Sequence, residues 1–307
     1  MDVYIIMKSA DGTEIRENNI LYFSFRKEAY LPYTLLSIRI LSSFPSYLNI
    51  TEVRLYIGEK LVHHGLIDTV ETVESGGSRI SSVVSRGFTS LLCQNQIEPG
   101  LKIGISINKL MNDFYSLPYV THEDNPDESN YIYVGKNSTM WDGIANLAYR
   151  FNGRYPFIRD ANCVRITPVS EPLSFSYSDS QLVSTGSSLT QKRLLSHLHM
   201  SDIQGEYGQY EFTDTEAVSA NIIRHKFFEL DQEFLNDPED ALLYHNKYDS
   251  REIRRIFCTY SGYNGEDLSD LVTFGGISSE RISAISIKGS KRGIFTQISV
   301  YHDKFPH

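Results

Sequence analysis

This sequence predicts a mainly β chain with an α+β segment set into it, on three observations. Its composition favours half-buried pleated surfaces, with 20 Tyr and 16 Phe beside abundant Ser, Ile and Val. Apolar residues recur at a spacing of two through the first part of the chain and again towards the end. Helical spacing takes over only in between, from Phe88 to Pro168. A length of 307 residues allows two or three domains, each able to bury a core without metal or disulfide staples.

From Val3 to Gly87 the text reads strand, turn, strand. Leu36, Ile38 and Ile40 alternate with Leu35, Ser37 and Arg39, and Val53, Leu55 and Ile57 with Arg54 and Tyr56. Gly58-Glu59-Lys60 predicts a hairpin turn, Leu61 to Glu74 a long strand, Ser75-Gly76-Gly77-Ser78 a second turn, and Arg79 to Ser85 the returning strand. Strands so spaced suit a barrel or a sandwich of about ninety residues.

The middle segment changes period. Ser106 is placed to cap a helix carrying Ile107, Leu110, Met111 and Phe114, stopped before Pro118. Tyr131 to Val134 read as a strand. Asn137 or Ser138 then caps a helix in which Trp141, Ile144, Ala145, Ala148 and Phe151 share an apolar face, ended by Gly153. Tyr155 to Ile158 and Cys163 to Thr167 flank the turn Arg159-Asp160-Ala161-Asn162 as a hairpin. A strand-helix-hairpin domain follows. Trp141, Ile144, Ala148 and Phe151 are its expected core.

Beyond Pro168 strands return at Leu173 to Tyr177, Leu194 to Met200, Ile282 to Lys288 and Ile294 to His302. A helical insert is expected between them. Asp237-Pro238-Glu239-Asp240 has the cap, proline and acids of a helix start. Asp249-Ser250-Arg251-Glu252 reads as a capping box, with Ile253, Ile256, Phe257 and Tyr260 on one face and Arg251, Arg254 and Arg255 outside.

Several function classes are disfavoured by what the residues omit. A net charge of −9 opposes general nucleic-acid binding, which needs a concentrated basic surface. Cys93, Cys163 and Cys258 are too scattered for a zinc knuckle or a disulfide framework and read as small buried residues of a reducing compartment. The first residues lack the bases and apolar core of a secretion signal, and no run is long enough for a membrane span, so folding in the cytoplasm is expected. No GxSxG, Walker, GxGxxG or HExxH pattern occurs. An enzyme is therefore not expected, and no cofactor or metal.

Weaker candidates each have a plainer reading. His197 and His199 share one strand face and would serve a metal only if a third ligand converged there. His63 and His64 point to opposite faces. The acidic stretch His122 to Asn130 lacks the glycine of a calcium loop and is expected to be solvated. Arg251, Arg254 and Arg255 read as a wet helix face, and Trp141 as core before sugar platform.

Three pieces occur together in order: "LYIGEKLVHHGLIDTVE" (Leu55 to Glu71), "SRGFTSLLCQNQIEPG" (Ser85 to Gly100) and "NSTMWDGIANLAYRFNGRYPFIRDANCVRIT" (Asn137 to Thr167). Over roughly a third of the chain, these resemble bacteriophage tail baseplate hub proteins, the late-control protein D family, also found in contractile bacteriocins and injection particles. The resemblance implies two small tube-type β-barrels around the strand-helix-hairpin domain, with limits at 1–87, 88–168 and 169–307 and the helical insert at about 235–272. It further implies a homotrimer whose ring joins a tail tube protein to a spike protein among other baseplate proteins. Tape-measure protein or DNA would pass through the lumen without specific binding, and no membrane insertion is involved. The particle would be assembled in a bacterial cytoplasm.

On this resemblance Arg86, Gly87 and Phe88 form the joint between first barrel and second domain, Gly87 permitting a sharp turn and Phe88 anchoring the new core. Of the acids in the long strand, Asp68 and Glu74 share one face and Glu71 lies on the other, so one of the two sets would line the lumen, with Asp68 and Glu74 favoured because Val73 opposite suits a core. Two departures stand out. Many relatives continue into a hydrolase or spike domain, whereas this sequence ends at His307, so lytic or piercing action is expected of partners. A later glycine-rich strand motif is not evident between Glu266 and Gly289. The alternatives are a carbohydrate-binding β module using Trp141 and tyrosines, and a metal-dependent hydrolase centred on His197 and His199.

Overall fold

Alternation governs the first third of the chain. The strands are β1 (Val3–Ser9), β2 (Glu14–Glu17), β3 (Ile20–Glu28), β4 (Leu35–Leu41), β5 (Ile50–Ile57), β6 (Lys60–Ser75) and β7 (Ser78–Gly87). The structure, a computed structural model, describes residues 2–41, 49–230 and 237–305. In β4 Leu36, Ile38 and Ile40 are buried while Ser37, Arg39 and Leu41 are exposed. Glycines at φ 61 (Gly58), 59 (Gly76) and 76 (Gly77) supply the two turns that flank β6.

The middle segment runs from a 3-10 turn at Phe88–Ser90 into α1 (Leu91–Gln94), β8 (Gly100–Ile105) and α2 (Ile107–Lys109), then β9 (Thr121–His122), β10 (Ser129–Val134), α3 (Met140–Asn152), β11 (Phe157–Arg159) and β12 (Cys163–Arg165). Ser106 caps α2, its Oγ accepting from Lys109 N at 3.2 Å. The helix then widens into a π turn, Leu110–Phe114, in which Tyr115 N donates to Leu110 O. That wider turn puts fully buried Tyr115 in the core and leaves Phe114 40% exposed, against the regular spacing expected of it. Strands β8 and β9 lie where no strand was expected.

Helix α3 is capped by Thr139, not by Asn137 or Ser138. Thr139 Oγ1 accepts from Asp142 N while Asp142 accepts from Thr139 N, a reciprocal box that satisfies two end donors. Gly153 closes it at φ 71. Trp141 is 4% exposed, Ile144 and Ala148 are fully buried and Phe151 half-buried, packed with Tyr115, Ile132 and Val164.

The last region comprises β13 (Ser174–Ser176), β14 (Leu182–Leu189), β15 (His197–Met200), β16 (Tyr210–Thr213), α4 (Thr215–Ser219), β17 (His225–Phe228), α5 (Pro238–Asp249), β18 (Arg254–Ser261), β19 (Leu271–Phe274), β20 (Ile277–Arg281), β21 (Ala284–Ser290) and β22 (Gly293–His302). Asp237 caps α5 through Asp240 N at 3.0 Å, with Pro238 in the first turn. The expected start of the insert at residues 235 and 236 lies outside the described residues.

The second insert helix does not form. Arg254–Ser261 is a strand, paired with β14 on one side and β22 on the other. Ile253, Ile256, Phe257 and Tyr260 fit a helical face, but Ile256, Cys258 and Tyr260 fit alternation equally well. Two flanking strands that need a partner decide the matter. Helix therefore ends at Asp249, and Arg254 and Arg255 lie on a strand.

Eleven strands form one antiparallel sheet, in the order β14-β18-β22-β21-β3-β4-β7-β6-β5-β1-β2. The seam is β3 against β21, where Tyr22 to Glu28 pair with Ser290 to Ala284. The two β regions read as separate barrels thus share a sheet, so neither leaves an open edge at this seam. One face buries Phe23, Phe25, Ile38, Leu55, Val83, Ile287 and Ile298, each worth about 1.5–3 kcal/mol on full burial.

Candidate assembly surface and joint

Strand β7 ends at the joint. Gly87 has φ −53 and ψ 152, open to any residue, so the turn itself does not require glycine. Space does: a Cβ there would meet Thr34 Oγ1 at 2.7 Å and Asn162 Oδ1 at 3.2 Å. Its partner across the ladder, Gly65, is tighter still, a Cβ meeting the Arg86 carbonyl oxygen at 2.2 Å. Phe88 is buried against His64 and Tyr119, with ring centroids 4.9 and 4.7 Å away.

Around this joint the three segments are locked by buried polar contacts. Lys27 Nζ of β3 donates to Asp267 Oδ1 at 2.6 Å, both side chains about 5% exposed or less. Asp160 N, in the β11–β12 turn, donates to Asp267 Oδ2 at 2.7 Å. Arg159 adds bonds to the Leu268 carbonyl at 2.6 Å and to Asp270 at 2.9 Å. His63 sits fully buried between Thr34 Oγ1 (2.7 Å) and Ser85 Oγ (2.8 Å), and burial pushes its pKa down to about 3. His64, on the opposite face, contacts Glu52 at 2.8 Å. Nothing in the sequence marks the Lys27–Asp267 pair, because its members lie 240 residues apart.

The far half of the β6–β7 hairpin is different. Val70, Val73, Ile80 and Val84 are 38%, 56%, 38% and 41% exposed. Val73 pairs with Ile80 on one face and Val70 with buried Val83 on the other, so apolar groups are uncovered on both sides. A signal was present, since Val70 and Val73 stand at odd spacing and no single core face accommodates both.

The acids of β6 are rearranged by a bulge. The register shifts between Ile67 and Thr69, which places Asp68 out of alternation. Arg86 Nε and Nη2 each bond Asp68 at 2.8 Å, and Arg86 shares its face with Ser82, the partner of Glu71. Asp68 therefore lies with Glu71 rather than with Glu74, opposite to simple alternation. Glu74 pairs with Arg79 at 2.6 Å. Glu71 makes no ion pair with any described residue.

The remaining candidates are quickly placed. His199 Nδ1 lies 3.1 Å from Glu211 and Nε2 3.0 Å from His225 Nδ1, while His197 stacks on His225 at 4.4 Å. His225 arrives on the parallel neighbour β17, which sequence reading did not find. No group of three among the described residues is arranged to hold a metal ion. In the acidic stretch Glu123 is buried, not solvated, accepting from Ile166 N, Thr167 N and Thr167 Oγ1 and pairing with Arg165. Burial pushes the thiols of Cys93 and Cys258 up to about 12 and raises that of Cys163, which keeps all three protonated and unreactive. Trp141 presents no open ring face to a sugar.

The chain thus combines a continuous sheet, a joint held by buried polar contacts and a hairpin end with partly exposed apolar residues. The fold is that of tail proteins. It matches a tail protein of Neisseria meningitidis over 98% of this chain and 97% of that one, with 14% identity and a TM-score of 0.71. A 43 kDa tail protein of prophage MuSo2 from Shewanella oneidensis matches over 97% of both chains, at 13% identity and 0.67. An Escherichia coli component of the type VI secretion system matches 94% of this chain and 76% of its own, at 7% identity and 0.53. No family model and no curated protein matches the sequence. Among the described residues no helix is long and apolar enough to cross a membrane.

Proposed function

We propose that this chain is the structural hub of a phage tail or tail-like contractile particle, three copies closing a ring that joins the tail tube to the spike and baseplate. It acts by packing and not by chemistry. The observation that carries this reading is the far half of the β6–β7 hairpin, where Val70, Val73, Ile80 and Val84 are partly exposed although Val83 between them is buried. A lone soluble chain gains nothing from such a surface, whereas a neighbour laid against it would bury each side chain at about 25 cal/mol per Å². The fold shared with tail proteins along nearly the whole chain supports the same reading.

In that ring Arg86, Gly87 and Phe88 form the structural joint, and Asp68 and Glu71 border the passage used by DNA or tape-measure protein at the inner end of the face whose tip, Val73 and Ile80, packs on the neighbouring copy, Glu74 lying on the other face. Arg86 and Arg79 offset Asp68 and Glu74, so Glu71 carries the repulsion towards phosphate. The test is mass photometry of wild type and of the double variant Val73→Glu, Ile80→Lys, alone and with tube and spike proteins. A wild-type trimer and a folded, monomeric variant are expected. A wild type that stays monomeric with its partners, or a variant that assembles as well as wild type, sinks the reading.

A further inference from the structure

A net charge of −9 describes the whole surface and hides one face of the large sheet. Cross-strand register puts Arg39 of β4, Tyr22 of β3, Lys288 of β21 and Phe295 of β22 together on the outer face, opposite buried Phe23, Ile38, Ile287 and Ile298. The turn between β21 and β22 adds Lys291 and Arg292 at its tip, between paired Ser290 and Gly293. All four cations are exposed, and none has a carboxylate partner among the described residues. Arg39 Nε donates to Ser82 Oγ at 3.3 Å. Tyr22 and Phe295 stand among these charges, 39% and 36% exposed. Other arginines of the face are already held, Arg26 by Glu28 and Arg86 by Asp68. Glu71 lies on the same face two strands from Arg39, about 10 Å away across Ser82.

Cations gathered without counter-charges repel one another and attract a polyanion, which sheds its condensed counterions on contact. Strands about 4.8 Å apart make the row from β4 to β22 about 14 Å wide. At one phosphate per about 3.4 Å of strand, that is room for about four phosphates. Half-open rings stack on bases that a duplex keeps hidden, so the mixture of rings and cations favours a single strand. An acidic peptide would meet the charges and leave the rings unused. We infer that Arg39, Lys288, Lys291 and Arg292, with Tyr22 and Phe295, bind single-stranded nucleic acid without base specificity, the cations on phosphates and the rings on bases. The strip is complete within one chain, so this inference goes beyond the hub reading and does not depend on a ring.

Fluorescence anisotropy of a labelled oligothymidylate with the full chain tests it between about 50 and 200 mM salt. Binding should weaken about fiftyfold over that range, the slope of four phosphate contacts at about −0.7 each. Lys291→Gln with Arg292→Gln, both in an exposed turn, should halve the slope. Tyr22→Ala should weaken binding at least about fivefold at either salt concentration and leave the slope unchanged. Lys109→Gln with Lys136→Gln, which remove the same charge from the middle segment, should bind as wild type does. Absence of salt-dependent binding, tighter binding of a duplex or of polyglutamate than of the single strand, or an equal loss in the middle-segment pair overturns the inference.

Discussion

The two halves of the β6–β7 hairpin share strands, turn and ladder yet live in opposite environments. At the near end His63, Ser85 and Gly87 are fully enclosed, and even a methyl group has no room at Gly65. At the far end, beyond the bulge at Asp68, Val83 still reaches the core, but Val70, Val73, Ile80 and Val84 are between 38% and 56% exposed among the described residues. The contrast teaches that pairing alone builds a strand, while what covers it decides its use. The near half is held by this chain's own middle and last segments. The far half is the part we propose is covered by another chain.

The sharpest break in that contrast is at the near end. Lys27→Ala leaves Asp267 buried without its cation, and a loss of about 3–5 kcal/mol is expected in denaturant unfolding. A cost below about 1 kcal/mol would mean that the joint is not locked by this pair. Gly87→Val comes next, at about 1–3 kcal/mol, because Thr34 and Asn162 must give way to the new side chain. Since the backbone angles are ordinary, Gly87→Ala should lose less than valine; an equal loss would point to backbone strain instead.

His63 sharpens the comparison through pH. It is neutral when folded and titrates near its usual 6.5 when unfolded, so the unfolded chain binds the extra proton. Its contribution is fully present above pH 6.5 and drains away as pH falls towards about 3, at up to about 1.4 kcal/mol per unit. Glu252, raised to about 7 chiefly by burial, works in the opposite sense over pH 4.5 to 7 but is common to both proteins. The difference in stability between wild type and His63→Gln should therefore shrink with acid. A difference that stays constant from pH 7 to 4 would exclude a buried neutral imidazole.

The smallest effect belongs to the far end. Val73→Glu with Ile80→Lys should change the unfolding free energy of the isolated chain by no more than about 1 kcal/mol per site, since Val73 is 56% and Ile80 38% exposed. Thermal melts at concentrations too low for assembly measure this directly. A loss above 2 kcal/mol would show that the hairpin tip is packed within the chain after all.

Much of this was legible in one dimension. The period of two from Leu35 onward, the glycine turns at Gly58 and Gly76, the apolar face of α3 and the Asp237-Pro238 start all act over a few residues, so local spacing determined them. The β18 strand, the bulge at Asp68 and the Lys27–Asp267 lock were not legible. Each depends on residues far away: β14 and β22 had to claim Arg254–Ser261, β7 had to set the register that displaces Asp68, and the last segment had to bring Asp267 to β3. Periodicity reports which side of an element is apolar, because burial repeats with the backbone. It carries no record of which element arrives to cover that side, and at the joint, the seam and the uncovered hairpin only the tertiary structure decided it.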